Sequence, residues 1–250
     1  MNPTETTGPS QPPRRARAHF SFEPMPDDHG SSELLQTLLK HPGRIIHELH
    51  AGRRRLLAAQ FLLFALGEMA LYGVVAGSLS GGAQLWIAPA KLALGTLLSG
   101  LICLPSLYIF CALAGSEFRL RALAGVLAAA ICLTSLLLVG FAPVAWIFSQ
   151  STDSLAFMGT LHLLFWLLSL SFGLRLLGGI TRFPSGDRRG GLKSWSLLFI
   201  LVCLQMTTTL RPIIGRSDHF LPGEKKFFLT YWFESLGGSG NGGSDEGLKR

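Results

Sequence analysis

The residues of this chain that could do chemistry are few and fall into small groups. His47-Glu48-Leu49-His50, with His41 close by, has the composition of a zinc-binding helix. Its second histidine follows the first by three residues, however, whereas H-E-x-x-H needs four to aim two imidazoles at one metal. A solvated or headgroup-facing helix is the better reading, and no cofactor or metal site follows. Cys103, Cys111, Cys132 and Cys203 lack C-x-x-C spacing and lie in apolar runs, so they read as small apolar residues facing lipid or the core. Ser99 or Ser169 could be set against His162 as an intramembrane nucleophile and base, but nothing in the sequence selects them. The chain has no G-x-S-x-G elbow and no Walker lysine loop, and Asp153 is its only aspartate between residues 29 and 186. Catalysis finds no foothold in these motifs.

A second group consists of polar residues inside apolar runs: Glu68, Lys91, His162 and Gln205. Placing a carboxylate at the centre of a membrane helix costs about 2.5–3.5 kcal/mol. The ten Leu, Phe and Val residues of 56–78 each return roughly 0.3–0.6 kcal/mol, so the helix still inserts. Glu68 must then face the bundle, either protonated or paired. At 1.5 Å per residue, counted from the outer helix ends, Glu68 comes about 15 Å deep, His162 about 10 Å, Lys91 about 7–8 Å and Gln205 about 14 Å. All of them fall in the outer half. The cluster is either a polar pocket or proton-linked path, or a satisfied network that fixes helix register, with Lys91 snorkelling outward. If these residues form one network, Glu68 is expected to accept from Gln205 or His162, or to pair with Lys91.

The elements that position these residues follow from composition. Of 250 residues, 48 % are hydrophobic and only 15 % charged, and the mean hydropathy is +0.39. A soluble domain carries about 25 % charged residues. This composition excludes disorder for most of the chain, and a disulfide-stapled fold is excluded by having only four cysteines. What remains is an all-α polytopic membrane protein. Five apolar runs, 56–78, 86–113, 122–148, 155–180 and 194–214, reach the roughly 20 residues that a helix needs to cross a bilayer. Short turn-rich breaks make sequential helices antiparallel neighbours in a compact bundle over 56–214. Within the first run, Gly73 and Gly77 make a GxxxG step that could let a neighbouring helix come close.

The chain carries 22 Lys and Arg and a net charge of +7, and the positions of these residues orient the bundle. Arg53, Arg54 and Arg55 precede the first run. The breaks at 79–85 and 149–154 hold no Lys or Arg, whereas 114–121 holds two and 175–193 five, Arg188 and Arg189 among them. Basic loops stay in the cytoplasm. This predicts a cytoplasmic N-terminus and, after five spans, an outside C-terminus. Arg53, Arg54, Arg55, Arg188 and Arg189 are the expected contacts with anionic lipid headgroups, and the charge calls for no nucleic-acid partner.

Outside the spans, 1–32 reads as a disordered cytoplasmic tail rich in Pro, Ser and Thr. It is not a signal peptide, since the first long apolar run starts past residue 55. In 33–55, Leu34, Leu35, Leu38 and Leu39, then Ile45, Ile46 and Leu49, describe two short amphipathic helices broken at Pro42-Gly43. Such a segment lies in the membrane interface or docks on a partner protein. Residues 215–250 form an extracytoplasmic tail whose aromatic stretch, 227–236, is read as interfacial.

The order of these features resembles a known family. Leu39-Lys40-His41-Pro42-Gly43-Arg44-Ile45-Ile46 leads into five spans, and Pro105-Ser106-Leu107-Tyr108 lies in the second. This looks like the bacterial relatives of the Yip (Ypt-interacting protein) family over about 34–214, although the Asp-Leu-Tyr-Gly-Pro of the eukaryotic branch is absent. The resemblance implies a non-enzymatic protein of the bacterial inner membrane and maps no site residue. The functional expectation is a non-catalytic scaffold or adaptor, with the lipid bilayer and other membrane proteins as partners. The alternative is a small channel or transporter subunit with a polar pocket around Glu68.

Overall fold

The computed structural model describes residues 30–52, 56–78, 84–115, 118–152, 155–180 and 190–209. Among these residues there is no strand; the elements are α1 (Ser31–Lys40), α2 (Pro42–Ala51), α3 (Leu57–Ser78), α4 (Gln84–Leu113), α5 (Leu120–Ser151), α6 (Leu155–Leu177) and α7 (Gly190–Thr209). The expected segments 1–29 and 215–250, and the arginines at 53–55 and 188–189, lie outside the described residues.

Four helices, α3, α4, α5 and α6, are long and apolar enough to cross a membrane, and α7 is a shorter apolar helix over Gly191–Met206. Their outward side chains are large and apolar, among them Leu63, Leu71, Leu101, Ile109, Leu164 and Leu197. This is the surface of an integral membrane protein, since a water-soluble one rarely exposes a continuous apolar patch of that extent. Pro89 and Pro105 lie inside α4 and Pro143 inside α5. Membrane helices tolerate such prolines because neighbouring groups take up the backbone atoms they release.

α5 is the hub of the bundle. Of its apolar stretch 78 % is buried inside the protein, against 39 % for α3 and 28 % each for α4 and α6. Its inner half is built from Ala122, Gly125, Ala128, Ala129 and Ala130, all buried, and small side chains let neighbouring backbones approach. α3 packs on α4 and α5, α6 on α5, and α7 on α4. Glycines mark the closest approaches. A Cβ on Gly73 would meet the Cα of Pro89, its nitrogen at 2.8 Å and the Ala88 carbonyl carbon at 3.2 Å. One on Gly173 would meet Thr134 Oγ1 and, at 2.7 Å, the Ala130 carbonyl oxygen. The GxxxG step thus seats α3 on α4.

The amphipathic pair does not lay its apolar side in lipid. Pro42 opens α2, where its missing N–H is not needed, and Gly52 closes it in the left-handed region at φ 67°. Leu34, Leu38, Ile45, Ile46 and Leu49 are buried in one core with Leu123 and Val126 of α5. Gly125 makes room for them, since its Cβ would lie 2.6 Å from Leu49 Cδ2. His50 tilts over Phe118, with ring centroids 4.6 Å apart. The hairpin's apolar stripe therefore belongs to the protein core.

Charge and aromatics divide between the two ends of the bundle. Among the described residues, Lys40, Arg44, Arg119, Arg121, Arg175 and Lys193 gather where α5 and α7 begin, α6 ends and the hairpin docks, with Lys91 the exception. The opposite end carries the outward-facing Trp86 and Trp146 and the Phe148–Phe157 pair, whose centroids are 5.8 Å apart. Tryptophans favour the headgroup level of a bilayer.

Candidate functional site

Glu68 lies half-buried midway along α3, on the side turned to α5. Ser135 Oγ lies 2.6 Å from Glu68 Oε2 and 2.9 Å from the Cys132 carbonyl oxygen, so its single proton serves one of the two at a time. The Cys132 thiol points at the same carboxylate oxygen from 3.8 Å. One turn further along α3, the hydroxyl of buried Tyr72 meets His162 Nδ1 of α6 at 2.6 Å, their rings edge to face at 5.6 Å. Met69, Leu138, Ala142, Ala145 and Phe165 pack around Tyr72 and keep this level apolar. Phe165 stacks on Phe141 at 4.7 Å. The polar groups are thus pairs embedded in hydrocarbon.

The expected cluster is only partly assembled. Glu68 and His162 do belong to one seam, linked through α3, but the bonds to Glu68 come from α5 rather than from Gln205 or His162. Gln205 rides on α7, which packs on α4. Lys91 does not snorkel outward: it is only 2 % exposed, packed inside the protein two residues beyond the Gly73–Pro89 crossing. Position along each helix was legible in the sequence, but the direction in which each side chain points around its helix was not. Ser135 and Tyr72 were missed, and signals for both existed. Tyr72 stands four residues after Glu68, hence on the same helix face, and Ser135 lies as near mid-span in α5 as Glu68 does in α3.

The serines proposed as nucleophiles are placed otherwise. Ser99 donates to the Gly95 carbonyl at 2.8 Å. His162 is engaged with Tyr72, and the Ser169 hydroxyl is fully buried with no hydrogen-bond partner. Neither serine is joined to a base. The thiols of Cys103, Cys111, Cys132 and Cys203 are free and buried, which agrees with small apolar packing residues. In the hairpin, His47 Nδ1 stands 4.0 Å from Glu48 Oε1, and Glu48 is itself buried.

A second polar junction holds the last helix. Trp195 of α7, fully buried, donates its indole N–H to Ser106 Oγ at 3.0 Å and approaches the Cys103 carbonyl at 3.3 Å. Its ring stacks on Phe199 at 5.1 Å. Pro105, inside α4, lacks the N–H that would close the helical bond to the Leu101 carbonyl. α7 therefore docks where α4 is locally irregular. Comparison of the chain with family models, with curated proteins and with solved structures finds no match.

Proposed function

We propose that this chain is a five-span protein of a bacterial inner membrane that acts as a non-catalytic scaffold or adaptor, its N-terminus cytoplasmic and its C-terminus outside. The observation that carries the reading is the docked α1–α2 hairpin. An amphipathic segment that served only as a membrane anchor would spend its apolar side on lipid. Here that side is spent on α5, which fixes the hairpin at the basic end and turns Glu33, Gln36, Leu39, Lys40 and His50 outward. A docked platform that presents polar side chains around an exposed leucine is what a partner protein can recognise. The basic end supports the orientation. The docking of α7 through Trp195 supports a fifth span, because a helix of modest apolar length gains from packing on a neighbour. The resemblance to the Yip family's bacterial relatives points the same way.

The test is a photo-crosslinking residue placed at Gln36 in native membranes. A discrete protein adduct is expected, and it should disappear in Gly125→Leu, where the new side chain takes the place of Leu49. Adducts to lipid alone, or an adduct unchanged by Gly125→Leu, would refute the platform. The channel or transporter reading draws on one observation, the half-buried carboxyl of Glu68 at mid-span. Ion flux through the purified chain in liposomes would favour it over the scaffold.

A further inference from the structure

Glu68 uses only one of its two oxygens inside the protein. Oε2 takes both contacts, from Ser135 Oγ at 2.6 Å and the Cys132 thiol at 3.8 Å. Oε1 has no partner among the described residues and is not enclosed by them. The side to which it opens follows from the turn of the helices. α4 crosses α3 at Gly73 and meets Ile131 of α5 through Gly100. Glu68 stands five residues before Gly73 and Leu136 five after Ile131, so each is turned about 140° around its helix from α4. α3 and α5 run the same way, since Gly125 faces Ala58 and Ser135 faces Glu68. The two turns therefore lead to one flank of the α3–α5 pair, the flank away from α4.

Cover on this flank runs out along the bundle. Gly125, Cys132, Leu136 and Pro143 are seven, four and seven residues apart and share one face of α5. Gly125 lies under Leu49 of the hairpin. Cys132 is buried, Leu136 half-buried and Pro143 exposed. On the α3 side, Phe64 is half-buried and Leu71 is 55 % exposed. Gly140, next to Leu136 on the α5 rim, is exposed, and nothing lies within 4 Å of the Cβ it would carry. The hairpin thus fills the inner end of a groove whose outer part is open. Small residues on such a rim let another helix come close.

We propose that this groove receives a membrane-spanning helix of a partner protein, one that carries a lysine or arginine at mid-span to pair with Glu68 Oε1. The occupant follows from depth and charge. Glu68 stands about 15 Å from either end of α3 at 1.5 Å per residue, out of reach of a headgroup or a soluble segment but not of a helix of bilayer length. An ionised carboxyl at that level is costly, and membrane proteins meet it with an opposite charge. A second copy of this chain has no such helix to offer. Among the described residues the exposed cations sit at the basic end of the bundle, and Lys91 is only 2 % exposed. Ser135 prepares the site by holding Oε2, which leaves Oε1 turned outward. The inference rests on the adaptor reading, which it carries into the bilayer. It concerns a surface apart from the hairpin's outer side, so that the crosslink at Gln36 and the groove can each fail alone.

The experiment uses the full chain in liposomes with a photo-crosslinking residue at Leu136. The probe is a synthetic leucine-alanine helix of bilayer length with one central lysine, and the same helix with a central leucine is the reference. At Leu136 the lysine helix should give at least ten times the adduct of the leucine helix. With the photo-crosslinking residue moved to exposed Leu101 of α4, the two should give equal adduct. Glu68→Gln should bring the lysine helix down to the leucine level, while the leucine helix keeps its wild-type yield and so reports an intact groove. Equal adduct from both helices at Leu136 in the wild-type chain would mean that lipid covers the groove, and overturns the proposal. So does a lysine preference that survives Glu68→Gln. An adduct between two copies of the chain as the main product at Leu136 overturns it as well, by giving the groove to a second copy.

Discussion

Replacing Gly73 by alanine adds one methyl group where α3 crosses α4. The atoms it meets all belong to backbone, namely the Cα and nitrogen of Pro89 and the carbonyl carbon of Ala88. No rotamer change can relieve this contact, so the two helices must separate. Overpacking a tight core costs about 1–3 kcal/mol, and a backbone-to-backbone clash belongs at the upper end. Alanine returns roughly 1 kcal/mol through helix propensity, which leaves a net loss of about 2 kcal/mol. For a chain of this size 1 kcal/mol corresponds to about 2–4 °C, so the melting temperature should fall by about 4–8 °C. All four cysteines are free and buried, so a thiol-reactive fluorogenic maleimide reports unfolding in detergent without an added label. Gly140→Ala is the control, because nothing lies within 4 Å of the Cβ it would add. That variant should melt at the wild-type temperature or slightly above. If Gly73→Ala and Gly140→Ala melt together, α3 and α4 do not meet through Gly73 and the account of the bundle's crossings is wrong.

Three further expectations follow from named contacts. Glu68→Leu should destabilise by only about 0.6 kcal/mol, the average for membrane hydrogen bonds, because Ser135 retains the Cys132 carbonyl as acceptor; Glu68→Gln should cost less still, and a loss above about 2 kcal/mol in detergent unfolding would mean that Glu68 neutralises a buried charge. Trp195→Phe removes the indole donor to Ser106 and should cost about 1 kcal/mol, whereas Trp195→Ala should cost about 3–5 kcal/mol and expose Cys203 to maleimide before the other thiols. Reporter fusions should show alkaline phosphatase activity at Gly247 and green fluorescence at Gly186; the reverse pattern would invert the proposed topology.

Which parts of this arrangement the sequence made legible depends on the physics behind each. Apolar runs of bilayer length specify helices with little ambiguity, and α3 through α7 lie where the runs predict. Their ends differ by a few residues. Helix α5 extends from Leu120 to Ser151 rather than over 122–148, because polar residues such as Arg121 and Gln150 can continue a helix beyond its apolar stretch. The amphipathic period of the hairpin identified its inward residues, but period does not say whether the apolar side meets lipid or protein. That was decided by Gly125 on α5, far away in sequence. The polar residues show the same divide. Counting residues gave the positions of Glu68 and His162 along their helices, while their actual partners, Ser135 and Tyr72, depend on how each helix is rotated about its axis. Lys91 was misread for that reason, since a lysine near a helix end snorkels only when its face is turned outward.

The attachment of α7 bears on how the chain is synthesised. Helices emerge in order, and α3, α4 and α5 can pack together as they arrive. The groove on α4 that receives Trp195, lined by Cys103 and Ser106, has no occupant until the last helix emerges, 89 residues after Ser106. Two helices must be threaded in the interval without filling it. Because α7 is shorter and less apolar than the others, its retention in the bilayer is tied to finding that groove. Translation arrest or truncation before Gly190 would therefore leave a bundle whose inner helices are assembled and whose α4 flank is bare. Such a product is a natural substrate for the quality-control proteases that survey membranes for unpaired helix faces.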